Sequence, residues 1–152
     1  MSTQTGPDSI ELLTFRIAEQ EYALDILSVR EIRGWTHATP LPHAPHYMKG
    51  VINLRGTVLP VMDLSARLGL PKREQNARNV IIVVKLEETM TGLLVDAVSD
   101  IVALSPEDMQ PPPELSSDIA EAVVSALTLI DERMIRVLDL ASTINVLEGV
   151  AA

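Results

Sequence analysis

Residues 15–32 of this chain, FRIAEQEYALDILSVREI, run apolar, pass a short Glu-bearing turn, and run apolar again to an acidic residue before isoleucine. Residues 83–101, VVKLEETMTGLLVDAVSDI, repeat that outline with one adjustment of spacing. A second echo follows, VLPVMDL at 58–64 against MIRVLDL at 134–140. Ile32 precedes Ile101 by 69 residues and Asp63 precedes Asp139 by 76, so both echoes set the halves some seventy residues apart. Solenoid repeats usually run roughly 20–50 residues, so a period this long marks a duplicated, domain-sized unit. Such a duplication leaves two related surfaces and a seam between them.

The duplicated unit is a β unit. Apolar residues make up 47% of the 152-residue chain but aromatics only 3%, so its core is built from Val, Leu and Ile, which favours sheet. A chain of this size buries enough surface to fold without a staple. Cys is absent, which excludes disulfides, thiolate metal sites and cysteine nucleophiles. Strands are expected at Leu12–Ile17, Glu21–Ile26 and Val29–Arg33, with the first turn at Glu19-Gln20. Tyr47–Asn53 and Thr57–Asp63 follow, joined by the turn Asn53-Leu54-Arg55-Gly56. The second half repeats the series at Val80–Leu86, Met90–Val95 and Val98–Leu104, then at about Val123–Ile130 and Met134–Leu138. Periodicity alone leaves Ala120–Leu129 open between strand and helix. Short helices are expected at Ser65–Leu70 and Ala141–Leu147, and proline-rich connections at Thr36–Pro45 and Ser105–Asp118. Five strands per half predict two small barrels packed together. Residues 1–10 read as a loose segment, and 11–148 as one domain of two subdomains, about 11–79 and 80–148. The order of motifs fits strands exchanged between them.

Charge narrows the function. Residues 1–85 carry +2 and residues 86–152 carry −11, out of a net −9. Phosphate binding needs a clustered basic face and single-strand binding adds stacking aromatics, so a nucleic-acid partner is disfavoured. The asymmetry fits protein partners. The N-terminus lacks a basic start and apolar run, and Val80–Val84 is too short to span a bilayer, so a soluble intracellular protein without membrane insertion is expected. His37, His43 and His46 lie close in sequence, but their proline-broken segment fits surface histidines better than a metal site. No nucleophile elbow, Walker loop or dinucleotide fingerprint occurs, so neither catalysis nor a cofactor is expected. Two stretches exceed what folding asks for. In Val29-Arg30-Glu31-Ile32-Arg33, strict alternation places Val29, Glu31 and Arg33 on one strand face, open between cross-strand pairing and a partner surface. At the turn, Asn53 and Gly56 satisfy the backbone, which leaves Arg55 either a solvated cation or an anchor reaching a partner's carbonyls or carboxylate.

Phe15 to Gly34, Tyr47 to Leu64 (YMKGVINLRGTVLPVMDL) and Thr91 to Leu104 (TGLLVDAVSDIVAL) together resemble the CheW-like domain family of bacterial chemotaxis coupling proteins. The likeness spans about Leu12 to Leu147. Within it, Ala18 and Ala97 stand where the family often has glycine. The resemblance implies a mainly β fold of two intertwined five-stranded, SH3-like or OB-like barrels, with short helices including one near the C-terminus. It implies a non-enzymatic adaptor that couples cytoplasmic chemoreceptor tips to the regulatory domain of a CheA-type histidine kinase, recruited to membrane-associated arrays. Other copies of the coupling protein are further implied partners within array rings. Carried over by position, the receptor surface comprises Val29, Glu31, Arg55, Val98 and Ile101, and the kinase surface Gln110, Glu114 and Leu115. A related coupling role in twitching, surface sensing or biofilm formation is the alternative within the family. From another class, the alternative is an OB- or SH3-like module for a small ligand or nucleic acid.

Overall fold

The computed structural model describes residues 9–70, 78–111 and 123–144. Ten strands run in chain order: β1 (Ile10–Ile17), β2 (Gln20–Asp25), β3 (Val29–Gly34), β4 (Met48–Leu54), β5 (Thr57–Asp63), β6 (Val80–Leu86), β7 (Thr89–Val95), β8 (Ala97–Leu104), β9 (Val124–Ile130) and β10 (Arg133–Leu138). They form two five-stranded sheets, β8-β1-β2-β10-β9 and β3-β6-β7-β5-β4. The protein is mainly β, as its aliphatic, alternating composition predicts. The stretch left open between strand and helix is a strand from Val124 onward; residues 120–122 lie outside the described residues.

The second sheet repeats the first with every strand number advanced by five, modulo ten. The correspondence reaches down to register. Val29 pairs Val84 and Glu31 pairs Val83 across β3 and β6, while Val98 pairs Phe15 and Asp100 pairs Thr14 across β8 and β1. A bulge interrupts both ladders at the same place. After one edge strand, the chain also bridges to the other edge strand in each sheet, at Thr39↔Val51 and at Gln110↔Leu127. These bridges nearly close each sheet into a barrel. Gly50 permits the first one, because its φ of 141° and a Cβ position 2.2 Å from the Thr39 carbonyl oxygen admit no side chain.

Four strand pairings are local hairpins: β1·β2, β4·β5, β6·β7 and β9·β10. The other four, β1·β8, β2·β10, β3·β6 and β5·β7, each join one half of the chain to the other. Two of these, β2·β10 and β5·β7, are parallel. The largest core cluster lies between the sheets and draws on both halves, with Phe15, Tyr22, Met62 and Leu64 meeting Ile82, Leu93, Leu138 and Ile144. Each sheet also encloses its own smaller cluster, around Leu59 and Ile81 in one and Leu12 and Ile135 in the other.

The repeated Asp-Leu is a pair of helix starts. Asp63 accepts the Ser65 N–H at 3.2 Å and opens α1 (Leu64–Arg67). Asp139 accepts the Ser142 hydroxyl at 2.6 Å and opens α2 (residues 140–144). The first hairpin turns at Ala18-Glu19, one residue earlier than expected. Ala18 has a φ of 57°, a conformation its composition does not announce, and its N–H donates to Asp96 Oδ2 at 2.8 Å.

Candidate functional site

β3 is an edge strand, flanked only by β6, so its other edge lacks a neighbouring strand. The bulge between Val29 and Glu31 decides what each face carries. Val29 pairs Val84, which belongs to the inter-sheet core, and itself packs there. Glu31 pairs Val83 and Arg33 pairs Ile81, both members of the cluster inside the second sheet. Paired residues share a face. The alternation expected from sequence, with Val29, Glu31 and Arg33 on one side, is therefore corrected: the extra residue Arg30 shifts Val29 to the opposite face.

Arg55 reaches Glu31 from the β4–β5 hairpin. With φ of 51° at Arg55 and 85° at Gly56, the turn is of the two-residue type that matches strand twist. Asn53 Oδ1 accepts the Gly56 N–H at 2.8 Å and fixes it. Arg55 thus has a backbone role as well as a side-chain one, which sequence reasoning missed because arginine is unusual at positive φ. Its Nη2 lies 2.5 Å from Glu31 Oε1, while Arg33 Nη1 lies 3.4 Å from Glu31 Oε2. The Arg55 hydrogen bond is the main influence holding the Glu31 carboxyl below its usual range; Arg33 adds to it and dehydration opposes it. Glu31 in turn raises the Arg55 guanidinium. Arg55 stays 70% exposed, so the clasp is solvent-facing.

Of the other expected receptor-surface residues, Val98 packs against the same inter-sheet core as Val29. Ile101 is 55% exposed on β8. The structure therefore brings Glu31 to Arg55 and sets Val29 and Val98 on one cluster, with Ile101 outside that packing. Gln110 sits in the bridge to Leu127, with both backbone hydrogen bonds at 2.8 Å and its side chain exposed. Glu114 and Leu115 lie outside the described residues.

His37 meets the Trp35 ring edge-on and His46 meets Tyr47 likewise. Among the described residues no group of three or more His, Asp or Glu side chains is placed to hold a metal ion. No helix among them is long and apolar enough to cross a membrane.

Residues 11–148 match the family model described as CheW-like domain. The chain is 51% identical over 142 residues to a protein described as probable chemotaxis protein CheW from Rhizobium etli, covering 93% of this chain and 92% of that one. It is 52% identical over 132 residues to chemotaxis protein CheW of Rhizobium meliloti, covering 87% and 85%. Its fold matches the crystal structure of scaffolding protein TtCheW from Thermoanaerobacter tengcongensis with a TM-score of 0.79 at 33% identity, covering 85% and 88%.

Proposed function

The chain belongs to the CheW-like domain family, and on that premise we propose that it is a chemotaxis adaptor coupling chemoreceptor tips to a CheA-type histidine kinase. The carrying observation is the Glu31–Arg55 clasp on an open edge strand. An exposed ion pair adds little to folding, so this one is better placed to meet a partner than to brace the barrel. Val29 and Val98 supply aliphatic surface at the margin of the inter-sheet core. Aliphatic anchors beside one acid and one base suit an amphipathic helical hairpin laid along the edge. Val29, Glu31, Arg55, Val98 and Ile101 form the receptor surface in this reading. Gln110, Glu114 and Leu115 form the kinase surface, on the connection that leaves β8.

The work is done by holding two partners, not by catalysis, and the protein acts in the cytoplasm at receptor arrays. Contacts of modest area give affinities near micromolar, and the array supplies avidity. The purified chain should bind a kinase regulatory domain and a receptor signalling-tip fragment separately, and should raise their co-sedimentation when all three are mixed. Failure to bind either one would overturn the reading.

A further inference from the structure

The internal duplication provides a control for every exposed residue, because each position in one sheet has a counterpart that shows what the fold itself requires. Arg33 fails that comparison in an informative way. Its counterpart by register is Val102, which pairs Leu12 as Arg33 pairs Ile81. Val102 packs into the interior cluster of its sheet. The fold thus accepts an apolar residue here, yet the second sheet holds a guanidinium whose Nε is buried without a hydrogen-bond partner. A buried donor left unpaired is unfavourable, so a role in stability does not explain it.

Arg33 lines a cleft of about 270 Å³ in the seam between the two edge strands β3 and β4, with Thr36, His37, Thr39, Asn53 and Val58. Where this sheet has Asn53 and Val58, the register of the first sheet places Leu129 and Met134. Of this lining, Arg33 and Asn53 are therefore polar where the other seam is apolar. Glu31 engages only Nη1 of Arg33, leaving Nη2, and the Asn53 side-chain oxygen is already used by Gly56, leaving its amide nitrogen to donate. None of the lining residues is acidic.

We propose that this cleft is a carboxylate-reading subsite of the receptor surface, in which an Asp or Glu side chain of the docked hairpin is held by Arg33 and Asn53. The proposal rests on the receptor-binding reading above. A carboxylate that spans the free Nη2 of Arg33 and the Asn53 amide accepts two charge-assisted hydrogen bonds, which fixes position as well as charge. The cleft and the clasp share Arg33, so a hairpin seated against Arg55 reaches the cleft by continuing along β3. Arg33 is then a specificity residue: Arg55 anchors the helix and Arg33 sets its register.

The test measures binding of the full chain to a receptor signalling-tip fragment and to a panel in which each Asp or Glu of that fragment is singly changed to Asn or Gln. Arg33→Gln should weaken tip binding by about tenfold or more while leaving kinase regulatory-domain binding and the thermal midpoint unchanged. One panel fragment should bind the parent chain and Arg33→Gln equally, the loss being shared. Should Arg33→Gln lower the thermal midpoint, Arg33→Lys, which keeps the charge but not the fork, must show the same loss. If Arg33→Gln binds within about twofold of the parent, or no fragment shares its loss, while Arg55→Glu abolishes binding, the subsite is wrong and the receptor surface stands. Parent-like binding by both variants, or no binding by the parent chain, would remove the receptor surface and the subsite together.

Discussion

Replacing Arg67 by Met should loosen the C-terminal helix and lower the stability of the whole molecule. Arg67 is 6% exposed at the end of α1. Its Nε donates to the Thr143 carbonyl and its Nη2 to the Ser142 carbonyl, each at 3.1 Å. Both carbonyls belong to α2. The guanidinium also stands 5.9 Å from the centroid of the Tyr47 ring. Burial lowers the Arg67 pKa and the neighbouring Tyr47 works against that shift, so removing the charge gives back some desolvation. Met keeps the packing of the stem and removes both hydrogen bonds. An unsatisfied buried acceptor costs about 1–3 kcal/mol. Thr143 is fully buried whereas Ser142 is within reach of water, so the net loss is about 2–3 kcal/mol. For a chain of this length that lowers Tm by about 4–12 °C, read by circular dichroism or calorimetry. Combining Arg67→Met with deletion of residues 139–152 should give much less than the sum of the two effects, because both remove one interaction. An unchanged Tm for Arg67→Met, or full additivity with the deletion, would refute the argument.

Arg55→Glu should abolish receptor-tip binding without moving Tm, and a double-mutant cycle with Glu31→Gln on thermal unfolding should show little coupling in the free protein; strong coupling would make Arg55 a brace instead of an anchor. Because the Glu31 carboxyl is lowered, the clasp is complete above the ordinary carboxylate range and is lost as pH falls through the lowered folded value, so tip binding should decline at acid pH, and Glu31→Gln should flatten that acid limb. Fragments 1–76 and 77–152 should each be unfolded or aggregated and should recover a native-like spectrum when mixed. Each half supplies nine of the buried side chains in the inter-sheet cluster, and at about 1.5–3 kcal/mol apiece that burial exceeds the net stability of a typical domain. A cooperative thermal transition from either fragment would refute this.

Strand content was legible because turn residues and alternating aliphatics recur in both halves. Tyr22-Ala23-Leu24 and Val80-Ile81-Ile82 could be little else. What sequence could not supply was who pairs with whom across the halves. The parallel contact of Glu21–Ala23 with Ile135–Val137, and the ion pair between Glu21 and Arg133 at 2.9 Å, join residues more than a hundred apart with no local mark. The site was half legible. Glu31 and Arg55 stood out as charges the fold did not need, but the bulge at Arg30 is a product of pairing with β6 and inverts the face of Val29. The cleft at Arg33 was hidden for the same reason, since it exists only where two edge strands fail to meet.

The pairing of β2 with β10 has a consequence for the chain as it is made. The β1–β2 hairpin leaves the ribosome with both outer edges open, and its permanent neighbours are β8 and β10. At about 5–20 residues per second, synthesis from the end of β2 to the end of β10 takes on the order of ten seconds. Until the interval ends the hairpin's Leu13, Phe15 and Tyr22 lack the full set of partners that later bury them. Open edges with aliphatic faces are templates for pairing with other chains. Nascent copies on one polysome are therefore each other's most available wrong partners, and the last strand to emerge commits the first two to their own molecule.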